Sequence, residues 1–332
     1  MRPPYFWNAD LDPRSREAAP LTRLILTPFA SLYAAVTARR IRKTIPEKTD
    51  ACVICIGNLT VGGVGKSPVV AALRLRLMEQ TDLRIATLSR GYKAQLSGPL
   101  KVDLKQHTAS DVGDEPFMLA QTGESWIGKD RAAAGKAMAA DGVNVIIMDD
   151  GHQNPGLHKD LSLIVVDAVS QFGNGHVIPK GPLREPIAVG LARTDAIILM
   201  NDGPIPEEID QTVLPIIKAR LKPTSSPPQQ PYIAFAGIGR PEKFFDTLRA
   251  CGADLIDSIP FSDHHAYTDA DMTYLRKLAK ENAATLITTE KDYVRLSDKD
   301  RTDVLFLPVS AQFENIELLK RLLTETMDKR PK

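Results

Sequence analysis

The stretch Thr60-Val61-Gly62-Gly63-Val64-Gly65-Lys66-Ser67 restricts this chain more than any other. A short apolar run from Cys52 to Ile56 precedes it and reads as a buried strand. Pro68 to Leu73 follow and read as the start of a helix. Strand, glycine-rich turn, Lys-Ser and helix form the context in which a loop wraps a phosphate. The glycines let backbone N–H groups turn toward phosphate oxygens, and the helix N-terminus adds partial positive charge. In that arrangement Lys66 reaches the β- and γ-phosphates of a nucleotide, and the Ser67 hydroxyl reaches Mg²⁺. The match to G-x-x-x-x-G-K-[ST] is incomplete, because Thr60 stands at the first glycine position and the glycines fall at 62, 63 and 65. The plain alternative is a flexible turn ahead of a core helix, with Lys66 in water.

Residues 51–200 alternate apolar runs with helical stretches. The runs are 52–56, 84–88, 143–148, 161–166 and 195–200. They predict an α/β fold: a P-loop NTPase-type parallel sheet with helices on both faces. Ligands of such sheets sit at the carboxyl ends of the strands, so the residues after each run carry the information. Those residues are Ser89-Arg90-Gly91-Tyr92, then Asp149-Asp150-Gly151-His152-Gln153, then Asp167 and a polar loop from Phe172 to Pro186 that includes Arg184.

A chain of 332 residues has room for one large or two modest domains. Residues 201–230 are rich in Pro, Gln and Ser and read as a connector. Beyond them the α/β alternation resumes, which predicts a smaller C-terminal α/β lobe. The expected division is an N-terminal segment over 1–48, a P-loop core over 49–222 and the small lobe over 223–332. A final helix is expected near 314–328, with Leu318, Leu319, Leu322 and Leu323 on one face. Lys and Arg number 42 against 41 Asp and Glu, a net charge of +1, so nothing points to a nucleic-acid partner. Three cysteines fit a reducing compartment, and Cys52 and Cys55 read as small core residues of the first strand.

The chain's start has no apolar stretch with the form of a signal peptide. Residues 21–43 are apolar and end in Arg39-Arg40-Ile41-Arg42-Lys43. An apolar helix with a cationic end suits the interface of an anionic membrane, and packing on the protein's own body is the alternative.

Asp149 and Asp150 follow an apolar run and have the form of a Mg²⁺-binding strand end opposite Ser67. Asp114 and Glu115 stand before an apolar helix. They read equally well as first-turn acids and as a carboxylate aimed at an acceptor hydroxyl. Asp263-His264-His265 has no zinc-ligand spacing. It reads as an acid/base or phosphate-contacting histidine brought across a cleft, or as a surface pair without a role. Thr289-Glu290-Lys291-Asp292 lacks the Asn of a guanine-reading motif, which weakens a GTPase reading.

Taken in order, these stretches resemble the tetraacyldisaccharide 4′-kinase family of lipid A biosynthesis. The resemblance rests on Gly57 to Pro68, Ser89 to Tyr92, Gly113-Asp114-Glu115-Pro116, Asp149 to Gln153, Gly181 to Pro186, Phe261 to His265 and Thr289 to Asp292. It implies a P-loop kinase on the cytoplasmic face of a bacterial inner membrane, docked through residues 21–43. The enzyme would move the γ-phosphate of ATP to the 4′-hydroxyl of tetraacyldisaccharide 1-phosphate, giving lipid IVA. The resemblance makes Asp114 the catalytic carboxylate and His264 its partner. It places Mg²⁺ on Ser67, Asp149, Asp150 and Glu115, and Arg184 near the phosphates. Where the family usually has an aromatic residue after Asp-Asp-Gly, this chain has His152. Two other readings compete. A P-loop kinase for a small soluble acceptor would work without detergent or lipid. A nucleotide switch would lose little on Asp114→Ala.

Overall fold

The computed structural model describes residues 4–8 and 15–329. Its strands are β1 (Cys52–Gly57), β2 (Ile85–Ser89), β3 (Leu100–Lys101), β4 (Ser125–Ile127), β5 (Val145–Asp149), β6 (Leu161–Asp167), β7 (Ala196–Met200), β8 (Ile216–Pro223), β9 (Pro231–Ala236), β10 (Asp254–Pro260), β11 (Thr285–Thr289), β12 (Val304–Leu307) and β13 (Val309–Phe313). Nine form one sheet in the order β13-β8-β7-β6-β1-β5-β2-β4-β3. It is parallel except for β3 and β13, which run antiparallel at its two edges.

The central strands are apolar on both faces because helices cover both. On one side, Ile54 and Ile56 of β1 pack with Val69, Leu73 and Leu77 of the Lys66–Gln80 helix. On the other, Val53 and Cys55 meet Ala134 and Met138 of the Arg131–Ala140 helix. Each fully buried Ile or Leu contributes about 1.5–3 kcal/mol, so this double layer holds β1 rigidly. β1 lies between β5 and β6. After β1 the chain fills the β5–β2 side first and crosses after β5 to β6 and β7 on the other side, so the switch point where open α/β sheets bind ligands falls at the carboxyl end of β1.

The small lobe is a parallel four-stranded sheet in the order β10-β9-β11-β12. Two features differ from the expectations, one from the connector reading of residues 201–230 and one from the small lobe's bounds. The Pro-rich connector contains β8, which joins the large sheet beside β7. The chain's end also leaves the small lobe, since β13 pairs with β8. Leu319 and Leu323 of the Ile316–Asp328 helix are buried in the large sheet's core, with Leu318 and Leu322 packed beside them. Of β8 and β13, only β13 is an edge strand, while β8 is paired on both sides.

The Pro20–Lys43 helix has 24 residues, about 36 Å at ~1.5 Å per residue. Leu21, Leu24, Ile25, Phe29, Leu32 and Val36 recur at helical spacing and are exposed. Ala30 and Thr37, seven residues apart, are its buried contacts. Among the described residues it is the one helix long and apolar enough to cross a membrane.

Candidate active site

The phosphate loop runs from the end of β1 to Lys66, the first residue of the next helix. Gly62 and Gly65 have φ of +113° and +87°, which residues with a Cβ rarely adopt. No neighbouring atom lies within 4 Å of where a Cβ on Gly62 or Gly63 would stand, so the loop is open where a phosphate would sit. Its start is held from the β6 side. The Arg184 amide donates to Leu59 O at 2.8 Å, the Val61 amide donates to Pro182 O at 2.8 Å, and Thr60 bridges Leu183.

The two acids after β5 have opposite electrostatics. Asp150, with φ of +52°, takes both Arg184 Nη1 contacts at 2.9 Å and stands 3.5 Å from Lys66 Nζ. Burial alone would raise its pKa, but Lys66 and Arg184 outweigh it and hold the carboxyl down to about 2. Asp149 is buried, and its Oδ1 has no hydrogen-bond partner. Burial first, and then the neighbouring Glu115, push it up to about 7. An orphaned buried carboxylate oxygen of this kind fits a cation as its missing partner. Glu115 is paired instead with Lys291 Nζ at 3.0 Å. Among the described residues no three His, Cys, Asp or Glu side chains are grouped to hold a metal by themselves. Ser67, Asp149, Asp150 and Glu115 thus do not form a closed protein cage.

Asp114 opens the Asp114–Ala120 helix after Gly113, whose φ is +96°. His264 lies in the turn after β10, on the small lobe. Its Nδ1 is 2.9 Å from Asp114 Oδ2, across 150 residues of sequence. Arg295 Nε donates to the same Oδ2 at 2.7 Å. Arg295 Nη1 also donates to Gly237 O at 2.8 Å and to the buried Asp292 at 2.7 Å. Burial would raise the Asp114 pKa; the His264 hydrogen bond and Arg295 reverse this and bring it to about 2. Both protein donors use Oδ2, so Oδ1 is the oxygen left for a further donor. The Tyr92 ring meets His264 edge-on, with centroids 5.8 Å apart.

The neighbouring histidine does something else. His265 Nε2 is 3.0 Å from Asp271 Oδ2, the acid of the Thr268 capping box, and its ring packs beside Phe261 and Tyr267. His152 is buried beneath the phosphate loop, with Nε2 3.1 Å from Gly190 O and Nδ1 3.1 Å from Ser162 Oγ. A carbonyl can only accept, so Nε2 carries the proton and donates to Gly190, and Nδ1 accepts from Ser162. Burial lowers the His152 pKa to about 4, so this ring is neutral. Lys291 and Arg295 escaped the sequence reading as site residues. Their signal was their place in the short segment after β11, at a strand's carboxyl end as the acids of β5 are.

A family profile described as "Tetraacyldisaccharide-1-P 4'-kinase" matches residues 22–327. The chain belongs to that family. It is 56% identical over 323 residues to the Tetraacyldisaccharide 4'-kinase of Hyphomonas neptunium, spanning 97% of both chains. To that of Maricaulis maris it is 48% identical, over 99% of this chain and 97% of the relative. The fold is similar to the crystal structure of the apo-form LpxK from Aquifex aeolicus in complex with ATP. That structure is 27% identical, with a TM-score of 0.74, covering 92% of this chain and 99% of the other. This agrees with the P-loop α/β architecture with a smaller second lobe.

Proposed function

We propose that this protein transfers the γ-phosphate of ATP to the 4′-hydroxyl of tetraacyldisaccharide 1-phosphate, forming lipid IVA in lipid A biosynthesis. The observation that carries the reading is the Asp114–His264 contact, made between two lobes at the mouth of the phosphate loop. The relatives' shared kinase name and the ATP in the similar solved structure support the reaction and the nucleotide.

Phosphoryl transfer depends on alignment and charge neutralisation more than on covalent help. Lys66 and Arg184 would release Asp150 and turn to the phosphate oxygens. Asp114 Oδ1 would take the proton of the sugar hydroxyl as the bond to phosphorus forms. His264 and Arg295, both on Oδ2, would orient that carboxylate. Mg²⁺ usually keeps several waters and shares substrate phosphates, so Ser67, Asp149 and Asp150 would hold it without a protein cage. When bound, it would neutralise charge on the transferred phosphoryl group. Glu115, paired with Lys291, would stand behind that set.

Four acyl chains keep the acceptor in the bilayer. The exposed apolar stripe of the Pro20–Lys43 helix and its basic end, Arg40, Arg42 and Lys43, would dock the enzyme on the cytoplasmic face of the inner membrane. Purified protein given Mg²⁺-ATP and the tetraacyl disaccharide 1-phosphate in micelles should yield a lipid heavier by one phosphate in mass spectrometry. ATP binding without such a product would refute the assignment. Deleting residues 1–40 should release the protein from membranes, and unchanged co-sedimentation would refute the docking role.

A further inference from the structure

Asp167 ends β6, on the far side of β1 from the Asp149–Asp150 pair, and nothing in the phosphoryl-transfer reading uses it. Its side chain is 1% exposed, yet it faces two cations of the other lobe. Arg240 Nη1 donates to Oδ2 at 2.8 Å and Lys243 Nζ at 3.1 Å. Ser170 Oγ also donates to Oδ2 at 2.9 Å, while Asn201 Nδ2 at 2.9 Å and the Val169 amide at 3.3 Å donate to Oδ1. The large lobe thus fixes the carboxylate, and the carboxylate holds the start of the Pro241–Ala250 helix. Burial would raise the Asp167 pKa; Asn201, Lys243 and Ser170 hold it down to about 2, so the anion persists at neutral pH.

What that helix start carries is the Gly237-Ile238-Gly239 turn. A Cβ on Gly239 would stand 3.8 Å from the Gly63 amide nitrogen, so the turn lies directly over the phosphate loop. Gly237 O accepts both the His264 amide at 3.0 Å and Arg295 Nη1 at 2.8 Å. Those two residues are the ones that grip Asp114. A continuous path of polar contacts and short backbone therefore runs from Asp167 through Arg240 and Gly237 to the Asp114–His264 pair.

We infer that Asp167 is a positioning residue: its clamp on Arg240 and Lys243 seats the small lobe so that His264 and Arg295 meet Asp114 over the phosphate loop. The inference rests on the proposed kinase reaction for its kinetic consequence, though not for its structural one. The clamp lies on the β6 side of the loop; on the other side the small lobe also packs Val294 among Val112, Phe117 and Ile127. There Asp114 and Glu115 meet His264, Arg295 and Lys291, the contacts that the proposed reaction would use. A geometric error of about 1 Å at a reacting centre costs on the order of 10²-fold in rate.

The test uses Arg240→Ala/Lys243→Ala, whose side chains are 43% and 46% exposed and leave the core intact. A conservative pair, Arg240→Lys/Lys243→Arg, keeps both charges. Hydrogen exchange of the His264 amide is measured on the full chain, alongside kcat, both KM values and thermal stability. The inference expects faster exchange at His264 in the alanine pair, a kcat lower by ~10²-fold, an ATP KM within about threefold of wild type, and recovery in the conservative pair. In an Asp114→Ala background the alanine pair should cost no further kcat, because coupled residues are not additive. Unchanged exchange and kcat would overturn it. So would a loss confined to the ATP KM, which would make Arg240 and Lys243 nucleotide contacts. A lowered melting temperature with normal kcat would also overturn it. If wild type phosphorylates no lipid, the kinase reading has failed, and the exchange result alone decides the clamp.

Discussion

Replacing Arg295 by Met probes the electrostatics of the site most sharply. The side chain is 6% exposed, and its guanidinium binds Asp114, Asp292 and Gly237 O together. Asp114 is held at about 2 against an ordinary 3.8, a difference of roughly 2 kcal/mol in favour of the carboxylate. Without Arg295 only the His264 hydrogen bond and Lys291 oppose burial, and the Asp114 pKa rises. Because the native pKa is depressed, this group's stabilisation is complete above the unfolded value of 3.8 and vanishes as pH falls to about 2. At neutral pH the variant therefore forfeits Arg295's share of it. It also takes the cation from Asp292, which is 0% exposed and keeps the Thr289 hydroxyl on its other oxygen. Breaking a buried pair from one side costs about 3–5 kcal/mol, within the total stability of an ordinary domain. Urea unfolding at pH 7.5 should show that loss, and the acid limb of kcat/KM should move to higher pH. Arg295→Lys, which keeps the charge, should recover part of both. A loss below about 1 kcal/mol together with a wild-type acid limb would refute the reasoning.

Three further outcomes follow from the geometry. His264→Ala should lower kcat by ~10²-fold, whereas His265→Ala, which loses only its Asp271 contact and ring packing, should lower melting temperature and leave kcat near wild type. Mg²⁺ binding should release a proton near neutral pH and weaken as pH falls through about 7, because Asp149 must ionise to accept the ion; calorimetry in two buffers of different ionisation enthalpy reads this directly. His152→Phe should leave turnover unchanged but cost about 1–3 kcal/mol in denaturant unfolding, since Ser162 Oγ loses its acceptor in a buried place.

Much of this arrangement was legible because β1, β5 and β6 are continuous apolar runs ending in polar residues, so their carboxyl ends could be aligned before any contact was known. The phosphate loop and the Asp149–Asp150 pair follow directly. The cross-lobe contacts did not, because they depend on how two sheets face each other. Asp114 meets Arg295 across 181 residues and Glu115 meets Lys291 across 176. Local pattern left Asp114 and Glu115 as either helix-start acids or chemistry, and left His264 and His265 equivalent. Only the Asp271 contact of one and the Asp114 contact of the other separate them. The return of β13 and the last helix to the large sheet was hidden for a related reason. An amphipathic helix shows that it has an apolar face, not which sheet that face covers. Asp167 stood in plain view at the end of its strand, but its partners in the other lobe lie 73 and 76 residues onward.

The central claim is that Asp114, gripped through Oδ2 by His264 and Arg295, takes the acceptor's proton. Rapid-quench single turnover of Asp114→Ala with Mg²⁺-ATP and the tetraacyl disaccharide 1-phosphate tests it directly, with nucleotide affinity measured on the same sample. The account predicts ATP affinity within about threefold of wild type and lipid phosphorylation slower by ~10² to 10⁴-fold. Phosphoryl transfer near the wild-type rate would contradict it.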